Sequence, residues 1–199
     1  MAATLHARGC AIVTDDVTAV DVGAECDTVF PGFPQLKLWP EAIVSLGETP
    51  ETMPRLHPLL EKRARPAVRG FSHRLLPLRR LYVIAGGPAP AIEPLAPHEA
   101  LIEILRHWYG SRFQDRLLRV NGTAVSHLRQ CASLANRVPV RRLIRPPAFQ
   151  ALLELATLIE DDLARKGDPA RENGTSGSQD TLSLKTARFD PRPEQAATG

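Results

Sequence analysis

The sequence is poor in the residues that build cross-links and metal centres. It contains only three cysteines, Cys10, Cys26 and Cys131, and none of them stands in a C-x-x-C pair. An odd number of widely spaced cysteines argues against a disulfide framework and against a thiolate zinc site. The six histidines form no H-E-x-x-H pair, so their spacing indicates no metal centre either. We expect the cysteines to be small buried thiols in a reducing compartment.

Long apolar runs are also absent. Arg, Asp or Pro interrupts every apolar stretch before it reaches the roughly 20 residues that a membrane-spanning helix needs. Residues 1–10 lack the apolar core and the small-residue cleavage site of a secretion signal. The sequence therefore predicts a cytoplasmic protein that has no membrane partner.

Aromatic residues and net charge are low as well. Aromatic residues make up 5% of the chain, and the net charge is +3 even though the sequence pI is about 9.0. There is no zinc finger, RNP motif or convincing helix-turn-helix, so the sequence argues against nucleic acid as a partner.

What the chain does contain is a series of short strands followed by helices. Residues 1–8 predict a helix that Gly9 ends, because glycine commonly follows a last helical turn. Residues 10–14 and 78–85 predict strands, and from residue 97 the apolar spacing becomes that of a helix face. Further strands are expected at 17–22, 28–34, 92–95 and 138–144, a helix at 39–46 that Gly47 closes, and helices at 98–113, 125–136 and 147–164.

This order predicts one α/β or α+β domain over residues 1–165. Residues 49–58 are rich in proline and predict an irregular segment. On the last helix, Glu160, Asp161 and Asp162 are expected to form a solvated face. Residues 166–199 are polar and have little to bury, so they predict a disordered tail.

The first candidate site is the pair Asp15 and Asp16, which follows the predicted strand at residues 10–14. Two carboxylates at the end of a buried strand can hold a metal-bound water, and one of them can take a proton from an attacking hydroxyl. These are the groups that phosphoryl transfer needs. The alternative is an ordinary turn, because aspartates commonly begin turns.

The second candidate site is a basic segment that contains Lys62, Arg63, Arg65 and Arg69. Cations in such a position can stabilise the charge on a phosphoryl group that is being transferred. The alternative is a solvated basic surface.

In the segment P-G-F-P-Q-L-K-L-W-P, residues 31–40, Lys37 can point into a site. The rest of that segment predicts a structural turn in which Trp39 anchors the core.

Taken together, these segments resemble the HPr-kinase-like proteins, which are related to HPr kinase/phosphorylase and more distantly to ATP-dependent phosphoenolpyruvate carboxykinase. Residues 6–17, H-A-R-G-C-A-I-V-T-D-D-V, look like the piece that follows the P-loop helix in that family. Residues 31–40 are similar to its next block, and residues 61–63 fall at its basic segment. Residues 78–84 match its P-L-x-x-I-Y-V-L strand, and residues 138–140 with the helix after them match its C-terminal end. The resemblance covers roughly residues 1–165, and the order of the blocks is more specific than any single block.

The resemblance implies a P-loop kinase-like α/β fold, a mixed sheet with flanking helices, that is truncated at its N-terminus. It also implies ATP and Mg²⁺ as cofactors, phosphoryl transfer to a hydroxyl of a protein substrate or a small molecule, and homo-oligomers. Carried onto this chain, Asp15 and Asp16 are the catalytic acid pair, with Asp16 beside the metal. Lys62, Arg63 and Arg65 then face the phosphates.

The chain departs from the family at one place. The loop G-x-x-x-x-G-K-[ST] is expected immediately before residues 1–5, and no Gly-Lys pair occurs anywhere in the sequence. Without that loop there are no converging backbone N–H groups, no phosphate lysine and no hydroxyl for Mg²⁺. One expectation is an inactive fragment of a serine kinase whose reading frame begins further upstream. The other is a non-catalytic remnant that binds a protein partner. In either case the sheet is expected to lack a central strand and to expose an edge.

Overall fold

The computed structural model describes residues 1–23, 26–108 and 123–165, and they form a mixed α/β fold. The predicted disordered tail lies outside the described residues, as do residues 109–113 of a predicted helix. The helices are α1 Ala2–Ala7, α2 Pro40–Val44, α3 Pro97–Arg106, α4 Thr123–Arg137 and α5 Ala151–Ala164. The strands are β1 Val20–Val22, β2 Asp27–Val29, β3 Gln35–Leu38, β4 Arg55–His57, β5 Leu60–Pro66, β6 Leu76–Pro77, β7 Leu81–Gly86, β8 Ala91–Pro94 and β9 Val140–Arg145.

The strands form three small sheets. The first has the order β1-β2-β6 and the second the order β3-β5-β4, and both are antiparallel. The third has the order β7-β9-β8, in which β7 runs parallel to β9 and β8 runs antiparallel to it. The described part of the chain therefore contains a mixed sheet, as the sequence predicts, together with two antiparallel ones.

Helices cover both faces of the third sheet because side chains alternate along its strands. On one face, Leu81 and Val83 pack with a buried cluster from β9, α3 and α4. On the other face, Tyr82 packs with a buried cluster from β9 and α5, and α1 adds Met1 and Leu5. The two clusters are Leu95, Ala100, Ala135 and Val140 on the first face, and Leu143, Leu152, Leu155 and Ile159 on the second.

A separate core joins the first helix to the second sheet. Leu36 on β3 is fully buried and packs with Ala3, Ile12 and Ala67. This contact brings the segment after α1 next to β3, and it places the acid pair beside that strand.

Two predicted helix ends are confirmed. Gly9 follows α1 with φ 96°, and Gly47 follows α2 with φ 76°. Backbone in this left-handed region favours glycine, which has no Cβ to clash with the following carbonyl. Pro40 is the first residue of α2, where its missing N–H has no helical partner to lose.

The predicted strand at residues 10–14 is wrong. Only Ile12 pairs, in an isolated parallel bridge with Phe71. Its N–H donates to the Gly70 carbonyl at 2.8 Å, and its carbonyl accepts from the Ser72 N–H at 2.8 Å. Pairing stops there because Thr14 already belongs to a turn. The segment 49–58, predicted to be irregular, contains β4, and the predicted basic segment lies largely in β5.

The predicted solvated face of α5 is wrong at Asp162. This carboxylate is buried, accepts a hydrogen bond from the Tyr82 hydroxyl at 2.6 Å, and forms ion pairs with Arg80 and Arg141. Burial, together with the hydrogen bond to Asp162, raises the pKa of Tyr82 to about 12. The cluster joins the C-terminal part of α5 to β7 and β9.

None of the helices in the described residues is long and apolar enough to cross a membrane.

We expect Asp162→Asn to lower the free energy of unfolding by about 3–5 kcal/mol, because it leaves two buried guanidinium groups without their carboxylate. The measurement is urea unfolding at pH 7 and fixed protein concentration. Asp161→Asn is the matched control, since Asp161 is the exposed neighbour on the same helix. A surface change of that kind costs within about 0.5 kcal/mol. Equal losses in the two variants would contradict a structural role for the buried cluster.

Candidate functional site

The acid pair lies in a tight turn at residues 14–17, which we call the acid turn. The Thr14 hydroxyl donates to the Val17 carbonyl at 2.7 Å, and the Val17 N–H donates to the Asp15 carbonyl. Asp16 has φ 50°, in the left-handed region that few residues other than glycine adopt. Aspartate is one of the few other residue types that adopt this region readily, and it does so mostly in turns.

Lys37 on β3 holds both carboxylates of the pair. Its backbone N–H donates to Asp15 Oδ2 at 2.7 Å, and its Nζ donates to Asp16 Oδ2 at 2.8 Å. The Lys37 and Asp16 side chains are 40% and 46% exposed, so solvent reaches this contact. The structure therefore brings Asp15, Asp16 and Lys37 together, although 21 residues separate Asp16 from Lys37.

The P-G-F-P turn packs directly on the acid turn. The Gly32 N–H donates to the Val13 carbonyl at 2.8 Å. A Cβ at Gly32 would lie 2.6 Å from Thr14 Oγ1, which is closer than two such atoms can approach. Glycine at this position thus lets the two turns meet.

Trp39 does not anchor the core as predicted. Its side chain is 50% exposed, and Lys62 Nζ lies 5.4 Å from the centroid of its ring. An ammonium above an indole face is attracted by the ring quadrupole. Lys62 lies on the same face of the second sheet as Lys37, because Lys37 pairs with Ala64 and residues two apart along β5 share a face.

Arg63 and Arg65 lie on the opposite face of that sheet. In the antiparallel register Arg65 pairs with Leu36 and Arg63 pairs with Leu38, whereas Lys37 pairs with Ala64. Directly opposite residues of an antiparallel pair share a face. The structure therefore does not bring the three predicted phosphate-facing cations together as one group, and their role stays a prediction.

Both arginines already have acidic neighbours. Arg65 makes a bidentate contact with Glu48, in which Nε to Oε2 is 2.8 Å and Nη2 to Oε1 is 2.6 Å. These hydrogen bonds hold the pKa of the Glu48 carboxyl below its usual range and raise the pKa of Arg65. Arg63 is nearly buried, and its Nη2 lies 3.6 Å from Glu61. Nothing in the sequence predicts that Glu48 pairs with Arg65.

Two of the three cysteines are not buried. Cys10 and Cys26 are exposed, which contradicts the prediction, whereas Cys131 is buried as predicted. Burial raises the pKa of the Cys131 thiol, so it is a poor nucleophile, and its Sγ lies 3.3 Å from His127 Nε2.

The described residues contain no group of three or more His, Cys, Asp or Glu side chains that could hold a metal ion. The carboxylates of Asp15 and Asp16, each with one oxygen already bonded to Lys37, are hard oxygen donors. This donor set fits Mg²⁺, which is commonly bound through one or two carboxylates while phosphate and water supply its other ligands.

No protein-family model, no curated protein and no solved structure matches this chain.

We expect Gly32→Ala to lower the free energy of unfolding by about 1–3 kcal/mol, because the added methyl group overpacks against Thr14. Gly86→Ala is the control, because a Cβ at Gly86 meets nothing within 4 Å. Denaturant unfolding measures both variants. If Gly32→Ala were as stable as Gly86→Ala, the two turns would not be in the close contact described.

The contact between Arg65 and Glu48 predicts a pH effect on stability. Because the folded-state pKa of Glu48 lies below its ordinary value of 4.5, the stabilisation is complete above pH 4.5 and is lost as the pH falls through the folded-state value. We expect Glu48→Gln to cost about 1 kcal/mol at pH 7 and less as the pH drops below 4.5. Urea unfolding across this range measures the difference. A difference that grows on acidification would contradict the pairing.

Proposed function

We propose that this chain is the acid-pair part of an ATP-dependent HPr-kinase-like phosphotransferase, with Asp15 and Asp16 as its catalytic carboxylates. The observation that supports the proposal most directly is the acid turn itself. The Asp15 and Asp16 carboxylates each contact Lys37, and hydrogen bonds made by Thr14 and Gly32 fix the backbone around them. The Asp16 side chain is 46% exposed, so solvent reaches it. Lys37 holds both carboxylates in defined positions, which distinguishes this turn from one whose acidic side chains make no contact.

In this proposal each residue of the turn has its own task. Asp15, fixed by the Lys37 backbone N–H, accepts the proton of the acceptor hydroxyl as a general base. Asp16 would hold Mg²⁺, and the bound ion would supply positive charge to neutralise the phosphates. The Lys37 ammonium reduces the repulsion between the two carboxylates and keeps them in one arrangement.

Lys62 is the cation that we assign to phosphate contact, because it lies on the same face of the sheet as Lys37. Arg63 and Arg65 would reach a phosphate only by leaving Glu61 and Glu48. Because the sequence has no Walker A loop, the proposal includes that these 199 residues do not transfer phosphate by themselves. The acceptor is a hydroxyl of a protein or of a small molecule.

A second candidate function is protein binding without catalysis. It is favoured by two apolar side chains that the described structure leaves almost fully exposed, Phe33 at 84% and Leu59 at 87%. Exposed apolar side chains at these two positions are available for contact with a protein partner. This function needs no metal at the acid turn, so metal binding separates the two candidates.

The test is binding of Mn²⁺, the paramagnetic substitute for Mg²⁺, followed by the electron paramagnetic resonance signal of the free ion. We expect Asp16→Asn to weaken binding by about tenfold, which corresponds to about 1.4 kcal/mol for a lost carboxylate ligand, and Asp15→Asn to weaken it less, because Asp15 contributes only its neighbouring charge. Asp161→Asn, which removes an exposed carboxylate elsewhere, should leave binding unchanged. Equal affinity in all four proteins would contradict the role of the acid pair and leave protein binding as the function.

A titration of the same proteins with ATP and Mg²⁺ tests the missing loop. No saturable nucleotide binding is expected, because no Walker A backbone is present to surround the phosphates. Binding that Asp16→Asn abolishes would show that the loop is dispensable and that the chain is a kinase by itself.

A further inference from the structure

Strand β7 is an open edge of the third sheet. The Leu81 N–H donates to the Pro139 carbonyl at 3.0 Å and the Gly87 N–H donates to the Arg145 carbonyl at 3.3 Å, so odd-numbered residues face β9. The backbone groups of Tyr82, Ile84 and Gly86 therefore point away from β9. Within residues 1–23, 26–108 and 123–165, no backbone hydrogen bond is made to these outward groups.

The two edges of this sheet differ in how they are protected. Pro90 precedes β8, and β8 itself contains Glu93 and ends at Pro94. Proline and charge are the usual means by which proteins prevent strands from adding to an edge. β7 has the sequence L-Y-V-I-A-G, which contains neither.

The outer side of β7 is also accessible and apolar. Ile84 is 56% exposed, although Leu143, its partner on β9, is fully buried. At Gly86 a Cβ would find nothing within 4 Å. An apolar strand with open space beside it and free backbone groups fits another extended strand.

We propose that β7 pairs antiparallel with β7 of a second copy of this chain, around a two-fold axis at Ile84. The direction of the backbone groups requires outward-facing residues to lie opposite one another. Centring the pair on Ile84 uses all three outward-facing residues of each copy and brings the two exposed isoleucines together. Ile84 then faces Ile84 of the second copy, and Tyr82 faces Gly86 of the second copy. Each pair exchanges reciprocal N–H to carbonyl bonds, and the two exposed isoleucines cover each other.

The charges around β7 are compatible with this self-pairing. In the same register Arg80 lies opposite Pro88 of the second copy, so no two arginines meet across the axis. The Arg80 side chain also turns inward to the buried Asp162. Pro88 has no N–H and ends the ladder after Gly86. Because β8 is protected, only one edge can pair, and the assembly closes at two copies.

Sedimentation equilibrium over a wide concentration range tests the proposal with matched variants. We expect the wild-type chain to reach a dimer mass and Ile84→Lys to remain a monomer, because two ammonium groups would face each other on the axis. The control is Ile102→Lys on α3, where an isoleucine is similarly exposed at 53% and dimerisation should persist. Circular dichroism checks that both variants fold. A wild-type chain that stays monomeric, or an Ile84→Lys variant that still dimerises, would overturn the proposal.

Disulfide trapping tests the register directly. Ile84→Cys is placed in a chain that also carries Cys10→Ser and Cys26→Ser, which removes the two exposed thiols. Opposite residues in a hydrogen-bonded antiparallel pair have Cα atoms about 5.5 Å apart, within the range that a disulfide spans. Oxidation should give a covalent dimer, whereas Ile102→Cys in the same background should not. Equal cross-linking of both variants would contradict pairing at Ile84. The dimer does not depend on the proposed phosphotransferase function, so either can fail alone.

Discussion

The hydrogen bond from the Lys37 backbone N–H to the Asp15 carboxylate is the contact on which the proposed site depends. It fixes the acid turn to β3, and β3 is in turn held by β5 and by the buried Leu36. The same residue reaches Asp16 through its side chain, so one position of the sheet sets the geometry of both carboxylates. A substitution that shifts β3 should therefore move the Asp15 and Asp16 carboxylates, even when the substituted residue lies outside the acid turn.

The third sheet is organised by a different constraint, the buried Asp162. This carboxylate contacts Arg80 and Tyr82 from the β7 segment and Arg141 from β9, and it fixes α5 on the sheet. Buried charges are tolerated only when they are paired in this way. The acid turn and the buried cluster thus use the same chemical groups in opposite ways, because the first leaves carboxylates open to solvent and the second encloses one.

Much of the local structure could be predicted from the sequence, because caps and stops depend on neighbouring residues. Gly9 and Gly47 end helices where expected, and Pro40 begins one. The misses are contacts between distant residues. Asp162 was predicted to be solvated because it follows two other acidic residues, and its partner Arg80 lies 82 residues away in the sequence. Nothing in the sequence indicated that Arg65 pairs with Glu48. The acid pair could be found from its residue types and its resemblance, whereas its attachment to Lys37 needed the fold.

Amide NMR spectra recorded during addition of Mn²⁺ would test the acid pair most directly, because the paramagnetic ion broadens the signals of nearby residues. We expect broadening to begin at residues 14–17 and at Lys37, and Asp16→Asn to remove it. Broadening that is centred elsewhere, or that Asp16→Asn leaves unchanged, would contradict a metal site at the acid turn.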